Sequence, residues 1–266
     1  MPHIETFFKT VQIPSISHVA QALIRTLHDE GASVDQVCAI IARDPVMAAR
    51  LLRLANNSQF GLPRSVGLLE DAVTLVGMER VRSLAVGVSL NDTFQLFPGL
   101  DRKAFWTTAM DCAGYAQWLA IRTGIHGHTG WLTGMMLRLG ELLIAQAEPD
   151  ILQTVEKLPQ IPGVRWKRET RLLGFTEGQI TAELARRWQF PPQMVQALQR
   201  AADPMAEAGF SRLGAVLHLA GLLAETADAG PESVASLPDD VLAVLGLRRE
   251  WMSHYFPDRT KFVNFG

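Results

Sequence analysis

The stretch SVDQVCAIIARDPVMAARLLRLANN, residues 33–57, contains two helix starts in direct succession. Ser33 and Gln36 stand in the register of a capping box, in which hydroxyl and side-chain amide reciprocally satisfy orphan backbone groups of a first turn. The helix they open carries Val37, Ile40 and Ile41 on one face. Asp44-Pro45 then sets an N-cap carboxylate before a proline, whose missing N–H costs nothing at the first helical position. Met47, Leu51, Leu52 and Leu54 recur at helical spacing until Asn56-Asn57, and this period predicts two consecutive amphipathic helices.

The same period extends outward in both directions. Val19, Leu23, Ile24 and Leu27 mark a helix ended near Gly31, and residues 58–67 read as a Gly/Pro/Ser loop. A short helix, a break near Gly77 and a longer helix follow. QLFPGLD, residues 95–101, is the candidate boundary, so the expected division is 1–97 and 98–266. Asp101 caps a helix through Trp106, Cys112, Tyr115 and Leu119, broken near Gly124. GMMLRLGELLIAQAE, residues 134–148, reads as one core helix. Thr176 and Gln179 repeat the capping box, Pro191-Pro192 restarts a helix, and residues 211–227 form a long apolar one. The final PDRTKFVNFG reads as a tail. Apolar and polar residues never alternate over a useful length, and the predicted fold class is all-α.

The 266 residues are 48% hydrophobic and 20% charged, which argues for a globular protein and against disorder. A formal charge of −2 supplies no global pull toward nucleic acid or anionic membrane. MPHIETFFKT lacks the pattern of a secretory signal, and no apolar run reaches membrane-spanning length. The expectation is a soluble, cytoplasmic protein with no nucleic-acid or membrane partner. Cys38 and Cys112 sit within apolar helical patterns, as two buried thiols rather than a disulfide or metal pair.

A search for chemistry finds little. His126 and His128 could share an ion only from a loop, and no nearby Cys, Asp or Glu completes a set. His218, on an apolar helix, reads as a core or boundary histidine. Asp239-Asp240 suits a helix start, and Arg186-Arg187 and Arg248-Arg249 suit helix ends. No nucleophile elbow, phosphate-binding loop, dinucleotide fingerprint or HExxH occurs. No cofactor is implied.

The segment IPSISHVAQALIRTLHDEGASVDQVCAIIARDPVMAARLLRLANNSQFGLPRSVGLLEDAVTLVGMERVRSLAVG resembles the start of an HDOD domain, the HD-related output domain of bacterial signalling proteins. FWTTAMDCAGYAQWLA, WLTGMMLRLGELLI, LLGFTEGQITAELARRWQFPPQMVQAL and LGAVLHLAGLLAE follow in the family's order, from about Val11 to about Ala227. The resemblance implies an N-terminal helical subdomain packed on a second one similar to HD phosphohydrolases. It also places the metal-ligand positions of those hydrolases at about Thr108, at Leu137 and Arg138, and at about Gly221. A hydroxyl, an isobutyl group, a guanidinium and a glycine cannot replace imidazole or carboxylate ligands, and a fixed cation repels a metal ion.

The resemblance therefore implies a metal-free, non-catalytic signal-transduction module that binds a protein partner. The alternative is a divergent phosphodiesterase or a nucleotide-binding sensor of the HD superfamily. Arg138 reaches solvent or pairs with a structural Glu, or else it meets a small anionic ligand in the vestigial pocket. Asn56, Asn57 and Phe60 are candidate partner contacts. Helix termination for the asparagine, and packing between the halves for Phe60, are the structural readings of the same residues.

Overall fold

The computed structural model describes residues 4–27, 29, 31–56, 65–94, 100–157, 161–206 and 209–262, with the backbone alone at Lys157. Five helices come from the first half after an initial α1 (Ile4–Thr10): α2 (His18–Thr26), α3 (Val34–Ile41), α4 (Pro45–Ala55), α5 (Leu69–Val76) and α6 (Met78–Thr93). Then come α7 (Arg102–Arg122), α8 (Gly127–Met136), α9 (Leu139–Ala147), α10 (Pro149–Lys157) and α11 (Val164–Leu173). The rest are α12 (Glu177–Arg187), α13 (Pro192–Arg200), α14 (Arg212–Glu225), α15 (Asp239–Leu245) and α16 (Arg249–His254). The described residues form no strand. The fold is all-α.

Two compact units emerge. The smaller comprises Pro14–Gln95, Trp188–Pro191 and Val263–Gly266; the larger comprises Met1–Ile13, Leu96–Arg187 and Pro192–Phe262.

In the smaller unit α6 is the central helix, packed by α2, α3, α4 and α5. Val81 to Leu90 are buried without interruption, as a helix surrounded on all sides must be. The N-caps read from sequence form, but of the Ser33–Gln36 capping box the structure makes the serine half alone. Ser33 Oγ accepts from Gln36 N at 3.1 Å, and Asp44 Oδ1 accepts from Val46 N and Met47 N at 3.0 Å each. The single charge in the buried run, Arg82, is neutralised by Glu79 and donates to the Thr26 carbonyl.

In the larger unit α7 packs on α8 and α14, and α12 packs on α9 and α13. Asp101 caps α7 through Ala104 N at 3.1 Å, and Thr176 and Gln179 complete their capping box at 2.9 and 3.3 Å.

Three sequence expectations need correction. Residues 134–148 are not one helix: α8 stops at Met136, Leu137 and Arg138 form a turn, and α9 begins at Leu139. The C-terminal segment is not a loose tail through Phe262. Arg259 pairs with buried Asp111 of α7, and the Phe262 ring lies where a Cβ on Gly114 would be, 2.4 Å from that point. Arg249 opens α16 instead of closing a helix, and its guanidinium is held by Asp239 and the Leu237 carbonyl. A carboxylate and a carbonyl thus offset an unfavourable cation at a helix start.

Candidate functional site

The turn at Leu137-Arg138 organises the site. Arg138 has φ −91° and ψ 1°, the bridge conformation between helix and strand values. The interruption exposes backbone groups in a buried place, and a threonine from α12 takes them up. Thr181 Oγ1 lies 3.2 Å from the Leu137 carbonyl and accepts the Gly140 N–H at 2.7 Å. Thr181 is fully buried, and its single hydroxyl proton is shared between the Leu137 carbonyl and the nearer Glu177 carbonyl at 3.0 Å. The approach of α9 to α12 is close: a Cβ on Gly140 would sit 2.1 Å from the Glu177 carbonyl oxygen. Only glycine fits there.

The break turns two neighbouring side chains to opposite fates. Leu137 is 1% exposed and its Cδ2 lies 3.4 Å from the Cβ position of Gly221 on α14. The six-membered ring of Trp166 closes the same space, with Cζ2 at 2.9 Å. Leu137 and Gly221 thus meet, and an indole ring fills the volume that a longer residue at 221 would occupy.

Arg138 enters a charged cluster instead. Its Nε and Nη2 both donate to Glu141 Oε2, at 3.0 and 2.6 Å, and Glu177 Oε2 is 3.8 Å away. Arg165 on α11 is the hub of the cluster, 2% exposed. Its Nε donates to Glu177 Oε2 at 3.2 Å, its Nη1 pairs with Glu156, and its Nη2 is 3.4 Å from Glu141 Oε2. Trp166 Nε1 adds a bond to Glu177 Oε1 at 3.3 Å. Glu169 accepts from the Glu177 backbone N–H at 2.8 Å. Its other oxygen is 3.0 Å from Arg165 Nε, but that N–H is aimed at Glu177.

The cluster therefore buries two guanidinium groups with three carboxyls. Burial and repulsion from Glu177 push the Glu169 carboxyl up to about 8, so at neutral pH it carries a proton; the buried Glu141 and Glu177 then face two guanidinium groups, with the more exposed Glu156 as a further partner of Arg165. Geometry agrees, because Glu177 receives two side-chain N–H groups while Glu169 receives only a backbone amide. Burial opposes ionisation of Glu141 too, but Arg138 and Arg165 outweigh it and hold that carboxyl below its usual range. Glu141 and Glu177 also overcome the effect of burial on Arg138 and keep its guanidinium charged.

Thr108 and Arg138 face one cavity of about 360 Å³, whose wall also includes Asp101, Glu141, Glu156 and Glu225. Thr108 is half-buried, its hydroxyl spent on the Ala104 carbonyl at 3.1 Å. Of the four positions inherited from the hydrolase comparison, two thus border an acidic cavity and two are sealed in packing beside it. Thr108, Leu137, Arg138 and Gly221 do not fit a divalent metal: none supplies an imidazole or a carboxylate, and of the carboxylates nearby Glu141 and Glu156 are paired with guanidinium groups while Asp101 and Glu225 accept backbone N–H groups. Among the described residues no three His, Cys, Asp or Glu side chains group as metal ligands.

His126 occupies the N-cap position of α8 without a side-chain cap bond, and His128 lies in the first turn, against Gln117. Asn56, in the smaller unit, is occupied. Its amide donates to the Leu52 and Val66 carbonyls and accepts from Val66 N, all at 2.8 Å. It clamps the two ends of the 57–65 connection. Asn57 and Phe60 lie outside the described residues.

The sequence reading missed Arg165, Trp166, Glu169 and Glu177. The available clue was Arg165-x-x-x-Glu169 at helical spacing on a helix otherwise rich in exposed charge. Glu177 was hidden inside a capping box, where an acidic residue already has an explanation.

Comparison with known proteins agrees with this architecture. A family model described as HDOD domain matches residues 13–204. A crystal structure from Marinobacter aquaeolei VT8, provisionally assigned as a signal transduction protein, superposes with a TM-score of 0.76 at 25% identity, covering 97% of this chain and 58% of that one. A provisionally assigned phosphohydrolase of Shewanella amazonensis SB2B gives 0.75 at 24% identity over 97% and 95% of the two chains. An HDOD domain protein of unknown function from Geobacter sulfurreducens gives 0.70 at 20% identity, over 95% and 86%. An uncharacterized protein of Treponema pallidum (strain Nichols) is 24% identical over 193 residues, 70% of this chain, and the chain spans 37% of its length. With the family's model matched over most of its length and the helical architecture shared, the chain belongs to the HDOD domain family.

Proposed function

We propose that this chain is a non-catalytic regulatory module of bacterial signal transduction, acting through a protein partner. One observation carries the reading. At the turn where a hydrolase of this architecture would present its His-Asp pair, a guanidinium is bonded twice to Glu141 and an isobutyl group is packed against Gly221. Converting that arrangement into a metal site would require removing a charge network, not merely adding a ligand. A retained scaffold with a rebuilt interior leaves function to its surfaces. The same reading has a cytoplasmic protein with neither nucleic acid nor membrane as partner. No described helix is long and apolar enough to cross a membrane. The acidic wall around Arg138 makes the small anion considered from sequence a poor match for that cavity.

The test is turnover. Purified protein is incubated with manganese or magnesium and bis-p-nitrophenyl phosphate, cyclic di-GMP or cyclic di-AMP, and bound metal is measured in parallel. The expected result is no stoichiometric metal and no hydrolysis above a heat-denatured control. Turnover with stoichiometric metal would replace the binding module with a divergent phosphodiesterase.

A further inference from the structure

Trp166 also lines a second cavity. It measures about 870 Å³ and lies among α11, α14 and the segments around residues 202 and 238, within the size range of small-molecule sites. Val164, Trp166, Leu222 and Pro238 give it apolar walls. The indole of Trp166 and the imidazole of His218 both line it and stand against each other, with ring centroids 5.1 Å apart and planes at 35°.

The polar groups are few and differ in kind. His218 Nδ1 is 2.8 Å from the Ala201 carbonyl. A carbonyl only accepts, so Nδ1 carries the proton and Nε2 keeps its lone pair. Burial lowers the His218 pKa, so the ring is a neutral acceptor near pH 7. Lys167 and Arg171, exposed and one helical turn apart on α11, also line the cavity. Neither is ion-paired with a described carboxylate. Among the described residues Asp203 is the one acidic lining residue, against two cations.

We propose that this cavity binds a small planar aromatic anion. The ring would lie against Trp166 and His218, a ring hydroxyl or N–H would donate to His218 Nε2, and the acidic group would meet Lys167 and Arg171. The apolar walls exclude a bare inorganic anion as the best match, because it would leave those surfaces uncovered. The cationic rim selects acid over a neutral ring. This site is separate from the Arg138 cavity and does not depend on whether the chain is catalytic.

The probe is 6-hydroxy-2-naphthoate, followed by NMR through the indole N–H of Trp166 and the ring of His218, with calorimetry for affinity. Saturable binding with Kd below about 1 mM is expected. 2-Naphthoate, lacking the donor, and 2-naphthol, lacking the charge, should each bind about tenfold more weakly. Lys167→Ala/Arg171→Ala should weaken the probe about tenfold, while Lys167→Arg/Arg171→Lys should retain it. Leu222→Trp should block the cavity. The two rim substitutions are exposed, so they keep the test valid if the filled variant does not fold. No saturable binding at millimolar probe, equal binding of 2-naphthol, or affinity indifferent to the rim variants overturns the assignment.

Discussion

Trp166 has two sides that treat charge in opposite ways. On its N–H side, Arg138 and Arg165 are enclosed by carboxylates: Arg165, Glu141, Glu169 and Glu177, each of 2% side-chain exposure or less, couple α9, α11 and α12, and the more exposed Glu156 adds α10. On its other side, Lys167 and Arg171 stand at the rim of a cavity with no ion pair to a described carboxylate. Arg165, Lys167 and Arg171 share one helix of ten residues. A buried charge must be matched because water cannot compensate it, whereas a rim charge remains hydrated and available. The difference separates groups that hold this fold together from groups that can receive something.

The contrast breaks most sharply at Arg165. Arg165→Met leaves the apolar volume nearly intact but strands buried carboxyls without their shared cation. Removing one partner of such a set costs about 3–5 kcal/mol, and urea denaturation should show a loss of that size with an unchanged m-value. A loss under about 1 kcal/mol would mean that the carboxyls find water or protons easily, and the cluster would then resemble the rim.

Gly140→Ala attacks the backbone contact that supports the cluster. Its new methyl would fall 2.1 Å from the Glu177 carbonyl oxygen, and a carbonyl in a helix cannot swing aside as a side chain can. Overpacking of this kind costs about 1–3 kcal/mol, measurable by the same denaturation curves. Here the limits of sequence reading become physical. Helical period and cap chemistry exposed the helices because they are local: Ser33, Asp44, Asp101 and Thr176 all make the cap bonds their positions imply. The family resemblance pointed to residues 134–140, yet the break at Leu137-Arg138 stayed invisible. It is held by Thr181, more than forty residues away in the chain. Arg165, Glu169 and Glu177 were hidden for the same reason. On a helix with low hydrophobicity a charge reads as solvated, and only tertiary contact with α9 and α10 reveals it as buried.

Acidity sharpens the comparison further. Glu169 holds its proton up to about pH 8 when folded but releases it near 4.5 when unfolded. Between those values the native state binds one more proton than the unfolded chain, so this group makes stability fall as pH rises. Burial raises Glu177 as well, adding the same sign. His218 acts oppositely below 6.5, since burial lowers its pKa and the unfolded chain gains the proton first. Comparing wild type with Glu169→Gln isolates the carboxyl. The substituted protein should lose less stability between pH 5.5 and 8 than wild type, by up to about 1.4 kcal/mol per pH unit. Parallel curves would place the proton elsewhere in the cluster.

The smallest expected effect lies across the indole. Lys167→Ala/Arg171→Ala removes two cations from the same helix that carries Arg165, and a count of charges alone would rank it as the larger perturbation. Both are exposed, neither is paired with a described carboxylate, and the loss of hydrated side chains should change unfolding free energy by no more than about 0.5 kcal/mol. Alanine's better helix propensity even works slightly in the variant's favour. A loss of several kcal/mol here would show that the rim carries structural load, and the distinction between the two sides of Trp166 would collapse. A near-zero result beside a large Arg165→Met effect would establish that burial and pairing, not charge itself, decide what each arginine or lysine of this helix does.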